Sequence, residues 1–273
     1  MNNLYADLHS HTNNSDGKLS TSELIAKAEE KKFKVFSITD HDTIAAYSEL
    51  SSSINIVSGV ELTVYYNNKE VHLLAYNFNI SDVDLNNYLD SIKQQRVNRA
   101  KNIINQLNNL EININFDEIY EKLEGDIITR SHIADELIEK DYAKNIYDVF
   151  QNIMSNDKIS IPKVEFINFE DAIKLIKNAG GFVSIAHPNK HFTSLQIYNM
   201  IKQGMRCIEV YHPSHNFYTT RSLQSFAKQY QLKQSGGSDY HAKHKNEENN
   251  FGHYGLTEEQ YFNLKREFKI NYL

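Results

Sequence analysis

The sequence contains a single cysteine, lacks an apolar run of membrane-spanning length and has no excess of positive charge. Cys207 alone cannot form an internal disulfide, which is consistent with a reducing compartment. The formal net charge of −6 argues against a broad basic surface that grips duplex DNA through its phosphates. No apolar run approaches the ~20 residues of a membrane-spanning helix. We therefore expect neither duplex DNA nor a membrane as a partner.

Length and composition indicate an ordinary globular protein. The chain has 273 residues, 40% of them hydrophobic and 23% charged, which is enough for one large α/β domain or a domain with an insertion. Cys207 lies in a strand-like run, where we expect a small buried hydrophobic side chain. The first five residues lead directly into the first predicted strand, so we expect no signal peptide and a cytoplasmic location.

The segment 6–17 is the most informative part of the chain. His9 and His11 are two residues apart, so in a β-strand or at its end both side chains point to the same side of the backbone. Asp16 follows beside Gly17 on a predicted loop. Two imidazoles on one side of the backbone, followed by a carboxylate, predict a metal site.

Five further segments place His, Asp or Glu at the end of an apolar run or inside an alternating strand. The candidate ligands in these segments are His41, Glu61, His72, His187, Asp239 and His241. In a barrel of alternating strands and helices, the C-terminal ends of the strands lie on one face, where functional sites are built. Each residue alone has a simpler interpretation as a strand histidine, a turn or a helix cap, but their joint occurrence favours one metal centre.

The nine candidate ligands are six imidazoles and three carboxylates. Nitrogen and oxygen ligands suit Mn, Fe or Zn, and the absence of thiolates disfavours a closed structural zinc site. Nine ligands are too many for one ion and suit two or three divalent ions, with a carboxylate such as Glu61 or Asp239 as a bridge. Several ions close together suit phosphoester hydrolysis, because they activate water and neutralise charge on the attacking and leaving oxygens.

The order of predicted elements indicates an α/β core interrupted by one helical insertion. Ser20 and Glu23 have capping-box spacing and predict a helix to about Lys32. Two alternating segments flank Asn67–Asn68 and predict a β-hairpin. Apolar residues then follow a helical period from about residue 85 to 154, and strand–helix alternation resumes near residue 160. We expect a core of residues 1–80 and 158–273, with the insertion 81–157 covering the mouth of the barrel.

The motifs, taken in order, resemble those of the PHP (polymerase and histidinol phosphatase) family essentially end to end. The matching segments are His9-x-His11 with Asp16–Gly17, Thr39–Thr43, Gly59–Glu61, His72–Leu74, Ala186–Pro188 and Gly237–His241. The resemblance implies a distorted (β/α)7 PHP barrel with a trinuclear metal centre at the strand C-termini. It also implies three ligand sets: His9, His11, Glu61 and Asp239; Asp16, His41 and His241; and Glu61, His72 and His187.

Two segments of the insertion carry information about the substrate. Arg96 and Arg99 lie three residues apart on a predicted helix, hence on one face, and Arg130–His132 precedes another helix. Guanidinium groups and helix N-termini bind phosphate oxygens, although solvated helix surface is the alternative for any single arginine. Both segments resemble motifs of one PHP branch, the 3′,5′-nucleoside bisphosphate phosphatases and the related 5′-to-3′ exoribonucleases. Ser131 stands where that branch usually has proline.

The resemblance implies a metal-dependent phosphoesterase that uses a metal-activated hydroxide. The expected substrates are 3′,5′-nucleoside bisphosphates, the 5′ end of short single-stranded 5′-phosphorylated RNA, or both. We expect Arg130 and His132 to hold the reacting phosphate, with Arg96 and Arg99 on a second phosphate. The remaining candidates are Asp40 or His241 for ordering the attacking water, and His212 and His215 for lining the pocket.

Two other functions stay open from the sequence alone. A histidinol-phosphate phosphatase would share the metal motifs, but it has no need of a clamp for two phosphates. A non-catalytic metal-binding PHP regulatory module would typically have lost ligands and be fused to a larger chain. The two arginine segments and the complete ligand set favour the nucleotide-directed enzyme over both.

Overall fold

The structure, a computed structural model, describes residues 4–48, 50–125, 127–155, 157–188, 192–243 and 245–273 and has a mixed α/β fold. The strands of the described residues are β1 Ala6–Asp7, β2 Val35–Phe36, β3 Asn55–Ile56, β4 Gly59–Tyr66, β5 Lys69–Tyr76, β6 Phe182–Ile185, β7 Cys207–Tyr211 and β8 Lys233–Gly236. The helices are α1 Thr21–Glu30, α2 Val83–Asn109, α3 Phe116–Glu121, α4 Arg130–Glu139, α5 Ile146–Asp148, α6 Phe169–Asn178, α7 Ser194–Lys202, α8 Phe217–Gln229, α9 Lys245–Asn250 and α10 Glu258–Phe268.

The strands form two sheets. Strands β1, β2 and β3 pair in parallel in that order. The second sheet has the order β4-β5-β6-β7-β8, in which β5 is antiparallel to both neighbours and the β6–β7 and β7–β8 pairs are parallel. The antiparallel β5 follows from the hairpin, since a two-residue turn can only reverse the chain.

Backbone hydrogen bonds join the two sheets along both edges. Beyond β8, the amide of Asp239 donates to the carbonyl of His9 at 2.8 Å, and the amide of His11 donates to Tyr240 at 2.9 Å. On the other side, the amide of Asp42 donates to the carbonyl of Glu61 at 3.0 Å. The segments that follow β1, β2 and β8 and the strand β4 are therefore neighbours, and each of them carries candidate metal ligands.

The predicted hairpin is present as β4 and β5. Asn67 and Asn68 form its turn with φ of 50° and 60°. Two successive positive φ values are typical of a type I′ turn, whose twist matches that of the flanking strands, and asparagine tolerates this conformation better than other non-glycine residues. The turn fixes the register in which Thr63 lies opposite His72.

The segment 81–157 is helical and contains no strand in its described residues. Asp82 caps α2 by accepting a hydrogen bond from the amide of Leu85 at 2.9 Å. The helix packs its first half, through Leu85 and Leu89, on the core between β4–β8 and the helices α6–α8. Its second half packs Ile103 and Leu107 in a separate apolar cluster with α3, α4 and the π-helical turn Val149–Ile153.

Three local expectations need correction. The apolar run 35–39 predicts a buried strand, but it forms a regular strand only over Val35–Phe36. The pairing is irregular beyond this point, because Ser37 bonds to Asp7 and Thr39 to Ser10, so that an advance of two residues on one segment matches three on the other. The sequence from Thr43 predicts a short helix, and the structure has a single 3₁₀ turn at residues 45–47. Glu61 lies inside β4, not at the end of a strand, because β4 begins two residues before it.

Candidate metal centre and active site

Glu61 is the centre of a buried histidine cluster. It lies on β4 with 1% of its surface exposed. One carboxylate oxygen, Oε2, is 3.2–3.3 Å from three imidazole nitrogens, and Oε1 is 2.9–3.0 Å from two more. The five imidazoles belong to His9, His11, His41, His72 and His187.

Two further carboxylates extend this cluster in opposite directions. Oδ1 of Asp239 is 3.2 Å from Nε2 of both His9 and His11, and its Oδ2 is 3.2 Å from Nε2 of His212. On the other side, Oδ1 of Asp16 is 3.2 Å from Nε2 of His241. The structure therefore brings together all nine residues that the motifs indicate as ligands, although Glu61, the central one, comes from within a strand.

The residues fit a multinuclear metal site. Ligand atoms lie within 4.8 Å of one another in four groups of the described residues: His9, His11, Glu61 and Asp239; His11, Asp16, His41 and His241; His41, Glu61 and His72; and His9, Glu209 and His212. The first group equals one implied ligand set, the second adds His11 to another, and the third has His41 where the implied set has His187. Both ring nitrogens of His11 and Oδ1 of Asp16 are buried, and none of their contacts among the described residues, including those at 3.2 Å, has the angles of a hydrogen bond. Buried polar atoms are rarely left unpaired, and metal ions are the ordinary partners of such a set of nitrogen and oxygen donors.

Electrostatics within the cluster favour an ionised Glu61 and a neutral His41. For His9, His11, His72 and His241, burial acts to lower the pKa, but contacts with carboxylates raise it above its usual value, so these imidazoles would exchange a proton for a cation. Burial acts to raise the pKa of Glu61, but the imidazoles of His41, His72 and His9 hold it well below its usual range. Burial lowers the pKa of His41 to about 3, despite the raising effect of Glu61 and Asp16. An ionised carboxylate and a neutral imidazole are the forms that donate a lone pair to a cation.

The backbone around the cluster is locally strained. His187 and Asp239 have φ of 29° and 50°, a region that non-glycine residues seldom adopt. Strain of this kind costs of order 1–3 kcal/mol per residue and persists where the surroundings enforce it, as at functional sites. Next to Asp239, Gly237 passes so near β1 that a Cβ at this position would lie 2.3 Å from the backbone nitrogen of His9. A side chain there would push Asp239 away from His9.

Glu209 is a site residue that the motifs did not identify as functional. It is fully buried on β7, and its Oε1 accepts a hydrogen bond from Nδ1 of His9 at 2.9 Å. Its Oε2 accepts a hydrogen bond from the backbone amide of His187 at 2.6 Å. A carboxylate on Nδ1 orients a histidine so that Nε2 is free to bind a metal. The available signal was an acidic residue inside an otherwise apolar strand, Cys207–Tyr211.

A small cavity of about 130 Å³ joins the metal ligands to three arginines. It is lined by Asp16, His41 and His72 from the cluster and by Arg96, Arg99 and Arg130 from the helical segment. The side chains of Arg96 and Arg99 are only 10% and 8% exposed, so these two residues are not solvated helix surface. The Arg130 side chain is 40% exposed and reaches the same cavity from the start of α4.

Two carboxylates hold these arginines. Arg96 pairs with Asp42 through Nε, at 3.1 Å, and through Nη2, and donates from Nη2 to Oγ1 of Thr63 at 3.0 Å. Nη2 of Arg99 and Nη2 of Arg130 lie 3.1 and 3.5 Å from the two carboxylate oxygens of Glu70. Arg99 and Arg130 therefore converge on one anionic group at the rim of the metal cluster.

Three predicted site residues have structural partners. Asp40 accepts hydrogen bonds from the Thr12 backbone and side chain and from the Ser15 side chain, at 2.6–2.7 Å, and so holds the loop that carries Asp16. Nδ1 of His132 accepts a hydrogen bond from the Thr129 amide at 3.0 Å, as part of the N-terminal cap of α4. Nδ1 of His215 donates to the Val210 carbonyl at 2.9 Å, while its buried Nε2 has no partner among the described residues.

Comparison with known proteins supplies the family. Residues 7–162 match the family described as the PHP domain. The chain belongs to this family. The 5′-3′ exoribonuclease Rnm of Escherichia coli is 30% identical over 247 residues, which cover 86% of this chain and 84% of the relative. The 3′,5′-nucleoside bisphosphate phosphatase of Chromobacterium violaceum is 28% identical and covers 86% and 87%.

A solved structure from Bifidobacterium adolescentis, assigned as a candidate metal-dependent phosphoesterase, superimposes with a TM-score of 0.84 at 25% identity over 95% of both chains. These findings confirm the predicted PHP membership and the assignment as a metal-dependent phosphoesterase. No helix in the described part of the chain is long and apolar enough to cross a membrane.

Proposed function

We propose that this PHP phosphoesterase hydrolyses a terminal phosphate ester of 3′,5′-nucleoside bisphosphates, of the 5′ end of short 5′-phosphorylated RNA, or of both. The observation that carries the proposal is the cavity in which Arg96, Arg99 and Arg130 face His41 and His72. A substrate with a single phosphate needs one anion site, whereas three guanidinium groups beside a metal cluster suit two phosphates on one molecule. The named activities of the Escherichia coli and Chromobacterium violaceum relatives support the same class of substrate.

The arginines divide into two groups by their partners. Arg99 and Arg130 share Glu70, so their guanidinium groups lie within reach of one anion beside His72. Arg96 has a different partner, Asp42, which directly follows the candidate ligand His41 in the sequence. The ion pair with Asp42 therefore holds Arg96 near His41. Exposure divides the three differently, because the Arg130 side chain is 40% exposed and those of Arg96 and Arg99 are 10% and 8% exposed. On this second criterion we assign Arg130 to the phosphate that reacts, and Arg96 and Arg99 to the second phosphate.

The chain's own residues then bind and orient the substrate. The nine ligands would hold two to three divalent ions, Mn, Fe or Zn, which supply activation of water and neutralisation of phosphate charge. We expected His132 to hold the reacting phosphate, but we now propose a positioning role, because its ring accepts a hydrogen bond from the Thr129 amide and fixes the start of α4 where Arg130 lies. Asp40, a candidate for ordering water, is likewise proposed to position the loop of Asp16, because its carboxylate accepts hydrogen bonds from Thr12 and Ser15. His241 is the candidate for ordering water, since it contacts Asp16 at the cavity side of the cluster.

We also propose that the two sheets close into a distorted seven-strand barrel. Hydrogen bonds join the segments after β1 and β8 on one side and Asp42 to Glu61 on the other, and β3 runs within two residues into β4. Counting β3–β4 as one strand gives seven. Residues 1–80 and 158–273 would form this core, and 81–157 would cover its mouth. Contacts of Arg96 with Asp42 and of Asp135 with Lys243 support this placement.

Turnover of three substrates tests the proposal. The protein, reconstituted with Mn, is offered 3′-phosphoadenosine 5′-phosphate, a short 5′-phosphorylated RNA and histidinol phosphate. We expect hydrolysis of at least one of the first two at a kcat/KM well above that of histidinol phosphate. A preference for histidinol phosphate would contradict the proposal. Arg99→Ala, which removes a guanidinium group from the cavity, should raise the KM for the bisphosphate, whereas Asp90→Asn, a change at an exposed α2 residue outside the arginine cavity, should leave it unchanged.

A further inference from the structure

An exposed apolar surface lies at the first turns of α7 and α8. Leu195, Phe217 and Tyr218 are 66%, 68% and 81% exposed. Helix α7 follows β6 and the ligand His187, and α8 follows β7 and the His212 that contacts Asp239. The N-termini of helices that follow parallel strands lie at the carboxyl edge of those strands, which is the edge of the metal cluster. We call Leu195, Phe217, Tyr218 and Arg221 the α7–α8 surface.

Two neighbouring cavities lie between this surface and the metal cluster. One cavity of about 270 Å³ is lined by the ligands His72 and His187 and by Phe192. A second cavity of about 320 Å³ is lined by Phe192, Pro188 and Tyr218. Because Phe192 borders both cavities, an extended molecule that starts at the cluster can pass over Phe192 and reach Tyr218.

The charge of this surface is positive. Arg221 lies on it, with its guanidinium carbon 5.5 Å from the centre of the Phe217 ring. Helices α7 and α8 contain no Asp or Glu, so neither helix offers a carboxylate that would neutralise Arg221 or repel a phosphate. An anionic ligand is therefore favoured at the α7–α8 surface.

Exposed aromatic rings combined with basic residues are the arrangement that binds single-stranded nucleic acid, because every base has a face that stacks and every nucleotide has a phosphate. We propose that the α7–α8 surface binds the nucleotides on the 3′ side of the reacting 5′ end of single-stranded RNA. This inference rests on the proposed function, and it deepens it by naming the surface that holds the rest of an RNA substrate beyond its reacting 5′ end. Tyr218 and Phe217 would stack on bases, and Arg221 would contact the backbone.

The test compares substrates of different length on Tyr218→Ala and on Arg221→Gln. For 5′-phosphorylated penta-adenylate, we expect Tyr218→Ala to raise KM about fivefold or more, because one lost stacking contact has that effect. For 3′-phosphoadenosine 5′-phosphate, which ends before the surface, we expect no change in either kcat or KM. Tyr147→Ala, which removes an aromatic ring that is 72% exposed on α5, is the matched control. A Tyr218→Ala effect equal for both substrates, or absent for both, would overturn the inference.

Binding separates this inference from the proposed function. If the native protein hydrolyses neither substrate, the proposed function fails, and fluorescence anisotropy of a 3′-labelled oligoadenylate still measures the surface. We expect Tyr218→Ala to weaken this binding about fivefold, and Arg221→Gln to reduce the slope of log affinity against log salt by about 0.7. Unchanged affinity in both variants overturns the RNA site. A dimer that Tyr218→Ala dissociates in sedimentation, without an effect on RNA, also overturns it, since a second copy then occupies the surface.

Discussion

Replacing Glu209 by Gln should weaken metal binding more than it weakens the fold. Glu209 accepts hydrogen bonds from Nδ1 of His9 at 2.9 Å and from the backbone amide of His187 at 2.6 Å. Glutamine has the same shape but one oxygen, so it can accept only one of these two bonds. The NH₂ group of the glutamine would then face a hydrogen-bond donor. If that donor is Nδ1 of His9, the ring loses the bond that orients it; if it is the amide of His187, the strained backbone there loses a stabilising bond.

The magnitude follows from the bonds that are lost. A hydrogen bond to a charged group contributes about 1.5–3 kcal/mol, which corresponds to roughly ten- to a hundredfold in an equilibrium. Loss of an outer partner of a metal-bound histidine weakens metal affinity by about 10–100-fold. We expect Glu209→Gln to lower the affinity for Mn about tenfold, because glutamine keeps one of the two hydrogen-bond acceptors. A larger loss, toward a hundredfold, is expected for Glu209→Ala, which keeps neither.

The assay is competition for Mn between the protein and a chelator of known affinity, read by elemental analysis, together with thermal melting of the metal-free protein. Glu136→Gln is the matched control, because Glu136 is also a buried carboxylate but pairs with Lys122 and Lys140, away from the cluster. We expect Glu136→Gln to lower the melting temperature and leave Mn affinity unchanged. If Glu209→Gln behaves like this control, Glu209 does not position the ligands and the reasoning is wrong.

Three further predictions concern the cluster, the cavity and a distant ion pair. Glu61→Gln should remove more Mn per chain than any single His→Ala change, because five imidazoles converge on it; equal losses in elemental analysis would argue against a bridging carboxylate. Arg130→Ala should lower kcat and kcat/KM for both a bisphosphate and a monophosphate ester, whereas Arg99→Ala should raise KM mainly for the bisphosphate; identical kinetic profiles would refute the division. Burial acts to raise the pKa of Glu136, but hydrogen bonds from its two lysine partners lower it below its usual value. The ionised Glu136 therefore contributes to the free energy of unfolding above pH ~4.5, and this contribution is lost in acid. The melting-temperature difference between the native protein and Glu136→Gln should therefore disappear as the pH falls, and a constant difference would contradict this.

The grouping of the nine candidate ligands was predictable in part, because several of them lie where local sequence determines the direction of the side chain. Glu61 is the exception, since it lies inside β4 and not at the end of a strand. His9 and His11 share a side of the backbone through their spacing alone, and Asp239 and His241 follow Gly236–Gly237. The hairpin was predictable for the same reason, since Asn67–Asn68 fits a single type of turn. The order of these local motifs also predicted membership of the PHP family, which the family match over residues 7–162 confirms.

The partners of the substrate residues were not predictable, because they depend on packing between distant segments. Helix α2 brings Arg96 to Asp42, a separation of 54 residues, and Arg99 to Glu70, a separation of 29. Nothing in the local pattern of either segment indicates such a pair. Glu209 is similar, since its role depends on His9, 200 residues away. Periodicity identifies which face of a helix is buried, but it does not identify what that face contacts.

The distribution of charge bears on how an acidic protein could bind the phosphorylated substrates proposed for it. The cluster contains three carboxylates, Asp16, Glu61 and Asp239, and would repel a phosphate if they faced it alone. Bound cations would reverse the sign at this point, and the arginines of the insertion add positive charge on one side of it. Arg221, in the α7–α8 surface, adds positive charge on another side. A short single strand that enters end first would therefore meet positive charge at the cations, at the arginines and at Arg221.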